Sequence, residues 1–324
     1  MKRKLTATLV FALFVALTPA LALISPETSG EIPFAPPAAT KSESIIVLDE
    51  ANGQTLHLSE REYLIGAVLC EMPASYEPEA LKAQAVAARS YALYVKALRE
   101  AEPLPELQGA YFTVNTDVHM GYMTENDAKS VFGDKFSEYY GKVSSAVDEV
   151  ASYALLYEGA PIAACYHAIS PGRTEASENV FASAVSYLVP VDSGFDETAE
   201  GFLSTKAFTA GELQSLFEAN VSGFKMTGEP ETWFGSKLCS ESGGVIESEI
   251  CGRVFTGTEV RNLLGLRSAA WETVYADGLF VFTVKGYGHG VGMSQNGANE
   301  LARLGMDFDE ILRYYCIGAE VAVY

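Results

Sequence analysis

A long helix is the firmest structural commitment in this sequence. It begins at Ser75 or Pro78 and runs to about Arg99 through PEALKAQAVAARSYALYVKALR. Pro78 suits a first turn, where its missing N–H is no loss. Leu81, Ala85, Ala88 and Val95 form an apolar stripe, while Lys82 and Arg89, two turns apart, share another face. The expected helix is amphipathic, with its cations on the side away from the stripe. Just before it stands GAVLCEMPA, where one acidic residue, Glu71, ends an apolar run.

Around this helix the pattern keeps changing. SIIVLDEANGQTLHLSER reads as a hairpin about its DEANGQ turn, and residues 62–70 have the apolar spacing of a short helix. Residues 110–190 alternate strand-like runs, among them ALLYEGAPIAACYHAI and SYLVPV, with polar turns. Short helices are expected over 206–218 and 256–265. LFVFTVKGYGHGVG is a strand entering a glycine-rich loop, SQNGANELARLG and DFDEILRYYC are two further helices, and EVAVY is a final strand. Strands and helices without regular βαβ alternation place the chain in the α+β class.

The N-terminus bears on location. MKRK precedes an apolar run of about twenty residues, long enough to span a bilayer as a helix. The basic residues before it predict a cytoplasmic N-terminus and an exported body. Ala20 and Ala22 resemble a small-residue cleavage site, so a cleaved signal peptide competes with an anchor. The expected layout is a signal-anchor over 1–24, a Pro- and Ser-rich linker over 25–44 and an extracytoplasmic domain over 45–324. Removing Lys2, Arg3 and Lys4 leaves 42 acidic residues against 19 basic, a balance of −23. No basic stripe follows the helices, which argues against nucleic acid as a partner. Of five cysteines, Cys239 and Cys251 bracket a short Gly/Ser loop and are either bridged or two unrelated thiols. No CxxC pair supports a structural zinc site.

Three stretches carry residues with chemistry. Glu71 is either a helix-end carboxylate or a general acid. Lys82 and Arg89 beside it would lower its pKa, and burial among Val68, Leu69 and Met72 would raise it. In CYHAISPGRTEASE, Cys165 and His167 face one side of a strand. A nucleophile pair and half a metal site compete there with a packed Cys and a hydrogen-bonded His. In KGYGHGVGMSQNGAN, glycines at 286, 288, 290 and 292 surround His289 and suggest backbone conformations closed to other residues. The loop lacks GxxxxGK[ST] and presents His289, Ser294 and Gln295.

CEMPASYEPEALKAQAVAARSYAL, YHAISPGRTEASENVF with SYLVPVDS, and GYGHGVGMSQNGANELA together resemble the stage II sporulation protein D family, the group that includes the amidase enhancers. The resemblance runs from about residue 60 to the C-terminus. It implies a membrane-anchored lytic transglycosylase acting on peptidoglycan glycan strands during forespore engulfment, without a cofactor. It also implies association with the stage II sporulation P amidase/endopeptidase and the M membrane protein. Glu71 matches the family's catalytic acid, and Lys82 and Arg89 match its cleft-lining cations. His167, Ser170, Thr174, Tyr287, His289, Ser294 and Gln295 match its other cleft motifs. A non-catalytic, glycan-binding activator of an amidase is the alternative within the group. Pro171 stands where the family usually has a glycine. The zinc cluster of some relatives is not carried over, because YFTVNTDVHMGYM has His119 but no cysteine.

Overall fold

The computed structural model describes residues 44–50, 52–114, 121–181 and 183–324. The N-terminal apolar segment, the linker up to Ser44, and His119 lie outside them. Among the described residues no helix is long and apolar enough to cross a membrane. Short sheets interspersed with helices make this an α+β fold. The chain divides into two compact units: one runs up to Tyr166 and resumes from Ala298 to Tyr324, the other is His167–Gly297.

In the first unit, β1 (Ser44–Asp49) and β2 (Gln54–Ser59) form the expected hairpin, paired from Ser44↔Ser59 to Asp49↔Gln54. β3 (Phe112–Thr113) joins β1 in parallel. Ser59 ends β2 and caps α1 (Glu60–Glu71): its hydroxyl accepts from the Glu62 N–H, and the Glu62 carboxylate accepts from the Ser59 N–H. This reciprocal box converts strand to helix with no intervening loop.

α2 (Pro78–Ala101) is the long helix, but its surface is not divided into apolar and polar sides. Every residue from Ala80 to Ala97 is buried except Lys82. A helix enclosed all round is a central one. α2 packs against α1, α4 (Phe136–Val150), β4 (Tyr153–Tyr157), β5 (Ala160–Pro161) and the helix Phe308–Tyr315. Its alanines let these neighbours approach from several sides. Ser90 fastens it to β4, accepting from the Leu155 N–H at 2.8 Å and donating to Val86 O at 2.6 Å.

Part of the 110–190 region expected to alternate strands is helical instead. Thr124 and Asp127 make a second capping box at the start of α3 (Glu125–Phe132). In α4, Val143, Ala146, Val147 and Val150 are buried at the i, i+3, i+4, i+7 spacing of one helix face. The C-terminal strand Glu320–Val323 pairs antiparallel with β4, so the segment returning after the second unit completes a sheet begun before it.

The second unit holds two three-stranded sheets. β6 (Leu203–Thr209) pairs with β11 (Leu279–Lys285), which pairs with β10 (Trp271–Ala276). The helix expected over 206–218 is displaced by this pairing. Residues up to Thr209 belong to β6, and a Thr209–Glu212 capping box starts α5 (Ala210–Asn220) there. α6 (Gly257–Leu264) meets the expectation closely, capped by Thr256 and Glu259 and closed by Gly265 at φ 58°.

LCSESGGVIESEIC is the turn and flanks of a hairpin between β7 (Phe234–Cys239) and β8 (Val245–Ile250), with β9 (Arg253–Thr256) on the far side of β8. Phe234 lies opposite Ile250 and Cys239 opposite Val245. Cys251 is therefore beside the start of β7 while Cys239 is at its end, about 16 Å away at a strand's rise per residue. A disulfide needs Cα atoms within about 7 Å. All five cysteines are free thiols. The core here is aromatic: Trp233 stacks on Phe280 at 5.4 Å, and Trp271, Phe282, Phe217, Phe224 and Phe255 pack edge to face around them.

Candidate active site

Glu71 is the last residue of α1, and a glycine one turn and a half earlier explains its surroundings. A side chain at Gly66 would meet the Tyr122 ring at 2.3 Å and Met123 O at 2.7 Å. Without one, residues 121–123 lie directly on the helix. Met123 N–H donates to Gly66 O at 3.1 Å, Tyr122 stacks on Tyr63, and Gly121 N–H donates to Glu71 Oε1 at 2.5 Å. Glu71 is left only 6% exposed. Burial pushes its carboxyl from 4.5 up to about 8, while the single Gly121 N–H pulls the other way and loses. Glu71 is protonated at neutral pH. Burial also raises the phenols of Tyr63 and Tyr166 and the Cys70 thiol, all within electrostatic reach of Glu71. The Tyr166 hydroxyl is buried with no hydrogen-bond partner among the described residues.

Lys82 and Arg89 are not arranged as exposed cations next to this carboxyl. Lys82 is bound by Glu79 at 2.7 Å and Glu149 at 2.6 Å. Arg89 is buried: its Nε donates to Glu60, Nη1 to Tyr153 O and Nη2 to Tyr324 O. Glu60 and Glu71 sit at opposite ends of α1, about 16 Å apart along the axis. Arg89 thus braces the far end of the helix that carries Glu71. The question the sequence left open, cations against burial, is decided by burial.

The remaining candidates lie in the second unit, where the glycine-rich loop and the 167–175 segment hold each other. Ile169 and Tyr287 exchange backbone hydrogen bonds at 3.1 and 2.7 Å, and Glu175 N–H donates to Gly290 O at 2.7 Å. The backbones are so close that a side chain at Gly286 would meet Ile169 O at 2.7 Å and one at Gly288 would meet His167 Cβ at 2.8 Å. Both glycines have positive φ, 73° and 109°. His167 and His289 are thereby brought together, with ring centroids 5.8 Å apart and the Phe181 ring 5.5 Å from His289. His167 is wholly buried, and burial lowers its pKa to about 4 against the opposing pull of Asp196. Tyr287 lies under the Arg267 guanidinium at 4.2 Å. Cys165 is no nucleophile, since burial pushes its thiol far above neutrality.

The hydroxyls of the cluster serve the loops. Ser170 Oγ accepts from Gly172 N–H, Thr174 Oγ1 from Val191 N–H at 2.8 Å, and Ser294 Oγ from Gly297 N–H at 3.1 Å. Gln295 is buried beside Ser294 at the start of the helix Gln295–Arg303.

Two buried carboxylates in this unit carry no sequence signal. Asp196 accepts from Ser170 N–H, Ser193 Oγ and Asn296 Nδ2, joining three segments. Glu175 accepts from Asn179 Nδ2 at 2.7 Å and Ser240 Oγ at 2.6 Å. Both stand in acidic turns whose composition suggests solvent exposure. Gly66 is the one visible hint of close packing at Glu71, a glycine inside a helix. Among the described residues no group of three or more His, Cys, Asp or Glu is placed to hold a metal ion.

The first unit carries a protonated carboxyl sunk at a helix end and the second a glycine-alternating loop pairing two histidines, and the chain is similar to the stage II sporulation proteins. The family model of that description matches residues 51–157. Stage II sporulation protein D of Bacillus subtilis (strain 168) is 34% identical over 281 residues, covering 86% of this chain and 79% of that protein. Its counterpart in Bacillus amyloliquefaciens is 32% identical over 281 residues, 86% of this chain and 78% of that one. The amidase enhancer of Bacillus subtilis is 26% identical over 315 residues, 81% of this chain and 40% of that protein. The chain belongs to the stage II sporulation protein D family.

Proposed function

We propose that the chain is a lytic transglycosylase that cleaves peptidoglycan glycan strands, leaving 1,6-anhydro-muramic acid ends. The observation that carries this reading is Glu71, one buried carboxyl that starts protonated because burial raises its pKa to about 8. Hydrolytic glycosidases use two carboxyl groups, the second to activate water or attack the sugar. A transglycosylase needs one, because the muramic acid's 6-hydroxyl is the nucleophile. The Glu71 proton passes to the glycosidic oxygen as its bond to C1 breaks. The carboxylate so formed takes the proton of the 6-hydroxyl as that oxygen bonds to C1, and Glu71 ends as it began.

In the second unit, His167, Ser170, Thr174, Tyr287, His289, Ser294 and Gln295 are substrate-binding residues, the serines and threonine by fixing the loops there. Lys82 and Arg89 serve through the helices they brace. The protein acts from an N-terminal membrane anchor, outside the cytoplasm, in engulfment of the forespore, with the stage II sporulation P and M proteins as partners.

The amidase enhancer among the relatives favours a second reading, a glycan-gripping activator of a separate amidase. Mass spectrometry of peptidoglycan incubated with the purified protein decides between them. Anhydro ends that vanish with Glu71→Gln support the enzyme. Tight glycan binding with no new ends, and stimulation of an added amidase, would establish the activator.

A further inference from the structure

Val291 offers both of its backbone groups to imidazoles. Its carbonyl lies 3.1 Å from His167 Nδ1, and its N–H donates to His289 Nδ1 at 3.1 Å. A carbonyl can only accept, so His167 carries its proton on Nδ1 and presents a bare lone pair at Nε2. An N–H can only donate, so His289 Nδ1 is bare and its proton sits on Nε2. One residue thus sets two neighbouring histidines in opposite tautomers. His167 stays neutral at physiological pH, because its burial holds its pKa near 4. Its Nε2 is buried, with no hydrogen-bond partner among the described residues. A buried polar atom left in this state is costly, and a partner for it is expected.

We infer that His167 and His289 form a binding site for a single carbohydrate hydroxyl group, which donates to His167 Nε2 and accepts from His289 Nε2–H. The inference rests on the glycan reading above. A carboxylate would face the lone pair of His167, and an ammonium would face the proton of His289. A hydroxyl satisfies both at one atom. Two hydrogen bonds of about 2.8 Å meeting at one oxygen span roughly 4.5 Å, which suits ring centres 5.8 Å apart. Phe181 supplies an apolar wall against His289, and a cavity lined by Ile169, Glu175, Asn179, Ser268 and Gly290 opens beside it. An apolar face next to a paired donor and acceptor is what a sugar ring with an equatorial hydroxyl presents in return.

The test uses the full chain with Glu71→Gln, uniformly labelled with 15N, and a tetramer of N-acetylglucosamine as probe. The free protein should show the proton on Nδ1 of His167 and on Nε2 of His289, and the tetramer should shift both Nε2 signals. The reverse tautomers, or a doubly protonated His167 at neutral pH, would overturn the inference. So would amide shifts elsewhere in the second unit with both Nε2 signals unmoved, the result expected if only water bridges the pair. A spectrum that nowhere responds to the tetramer would instead sink the glycan reading. Removing one neutral hydrogen bond with His167→Phe should weaken tetramer binding about tenfold, and a change under about twofold counts against the site.

Discussion

Replacing Glu71 with glutamine removes a titration while keeping the shape and the acceptor for Gly121 N–H. The folded chain holds the Glu71 proton up to about pH 8, whereas the unfolded chain releases it near 4.5. Folding with this side chain is therefore most favourable below the unfolded pKa, and its contribution falls as pH rises through the folded one. The loss is about 1.4 kcal/mol per pH unit between the two values, about 3 kcal/mol by pH 7 and about 5 kcal/mol by pH 9. The amide of the variant does not titrate and carries no such loss. Denaturant unfolding of both proteins at pH 5, 7 and 9 should show the stability of Glu71→Gln, relative to the native chain, climbing by about 4 kcal/mol across the range. Taking the difference cancels every other titrating group. The same pKa sets the chemistry: cleavage should decline as pH rises through about 8, because the acid is lost. A stability difference that is flat with pH would mean that Glu71 ionises like a solvated carboxylate, and the acid role would fall with it.

Other perturbations test the supports of that site. Gly66→Ala forces the Tyr122 ring off α1, and thermal unfolding should show a loss of about 1–3 kcal/mol, with the Glu71 pKa drawn back toward 4.5 as water enters. Arg89→Ala strands Glu60 and the carbonyls of Tyr153 and Tyr324, costing about 3 kcal/mol. The protein that remains folded should keep its KM for glycan strands, and a large rise would put Arg89 on the substrate. Intact-mass measurement after alkylation without reductant should find Cys239 and Cys251 both modified. Thr209→Ala removes a cap at the β6–α5 junction and should cost about 1 kcal/mol in denaturant.

Several helices and the three motifs are legible in the sequence, and the structure explains where that legibility stops. α6 and the long α2 were readable because start signals and apolar spacing agree, with a closing glycine as well in α6. α4 departs from the strand-like reading of 110–190, although Val143, Ala146, Val147 and Val150 have the spacing of one helix face. The helix expected over 206–218 takes in the last four residues of β6, because LSTKAFT joins directly to a helix and only its pairing with β11 reveals the strand. The burial of α2 could not be read at all, since alanine is compatible with both solvent and core. Glu71 in the first unit and the two histidines in the second are visible as residues. What they do depends on Gly121, Tyr122, Val291 and Asp196, which contribute backbone groups, a ring or a buried charge that leave no mark on composition.

The first unit is written in two instalments, with the 131 residues from His167 to Gly297 inserted between them. As the chain emerges during synthesis, the α2 helix and β4 appear long before the strand Glu320–Val323 that covers β4's open edge. A sheet edge waiting unpaired invites other strands. Contacts between such distant parts of a chain also form slowly. The order of synthesis therefore leaves the β4 edge open until the whole second unit has been made, while the surroundings of Glu71, from Tyr63 to Tyr166, are all in place in the first instalment.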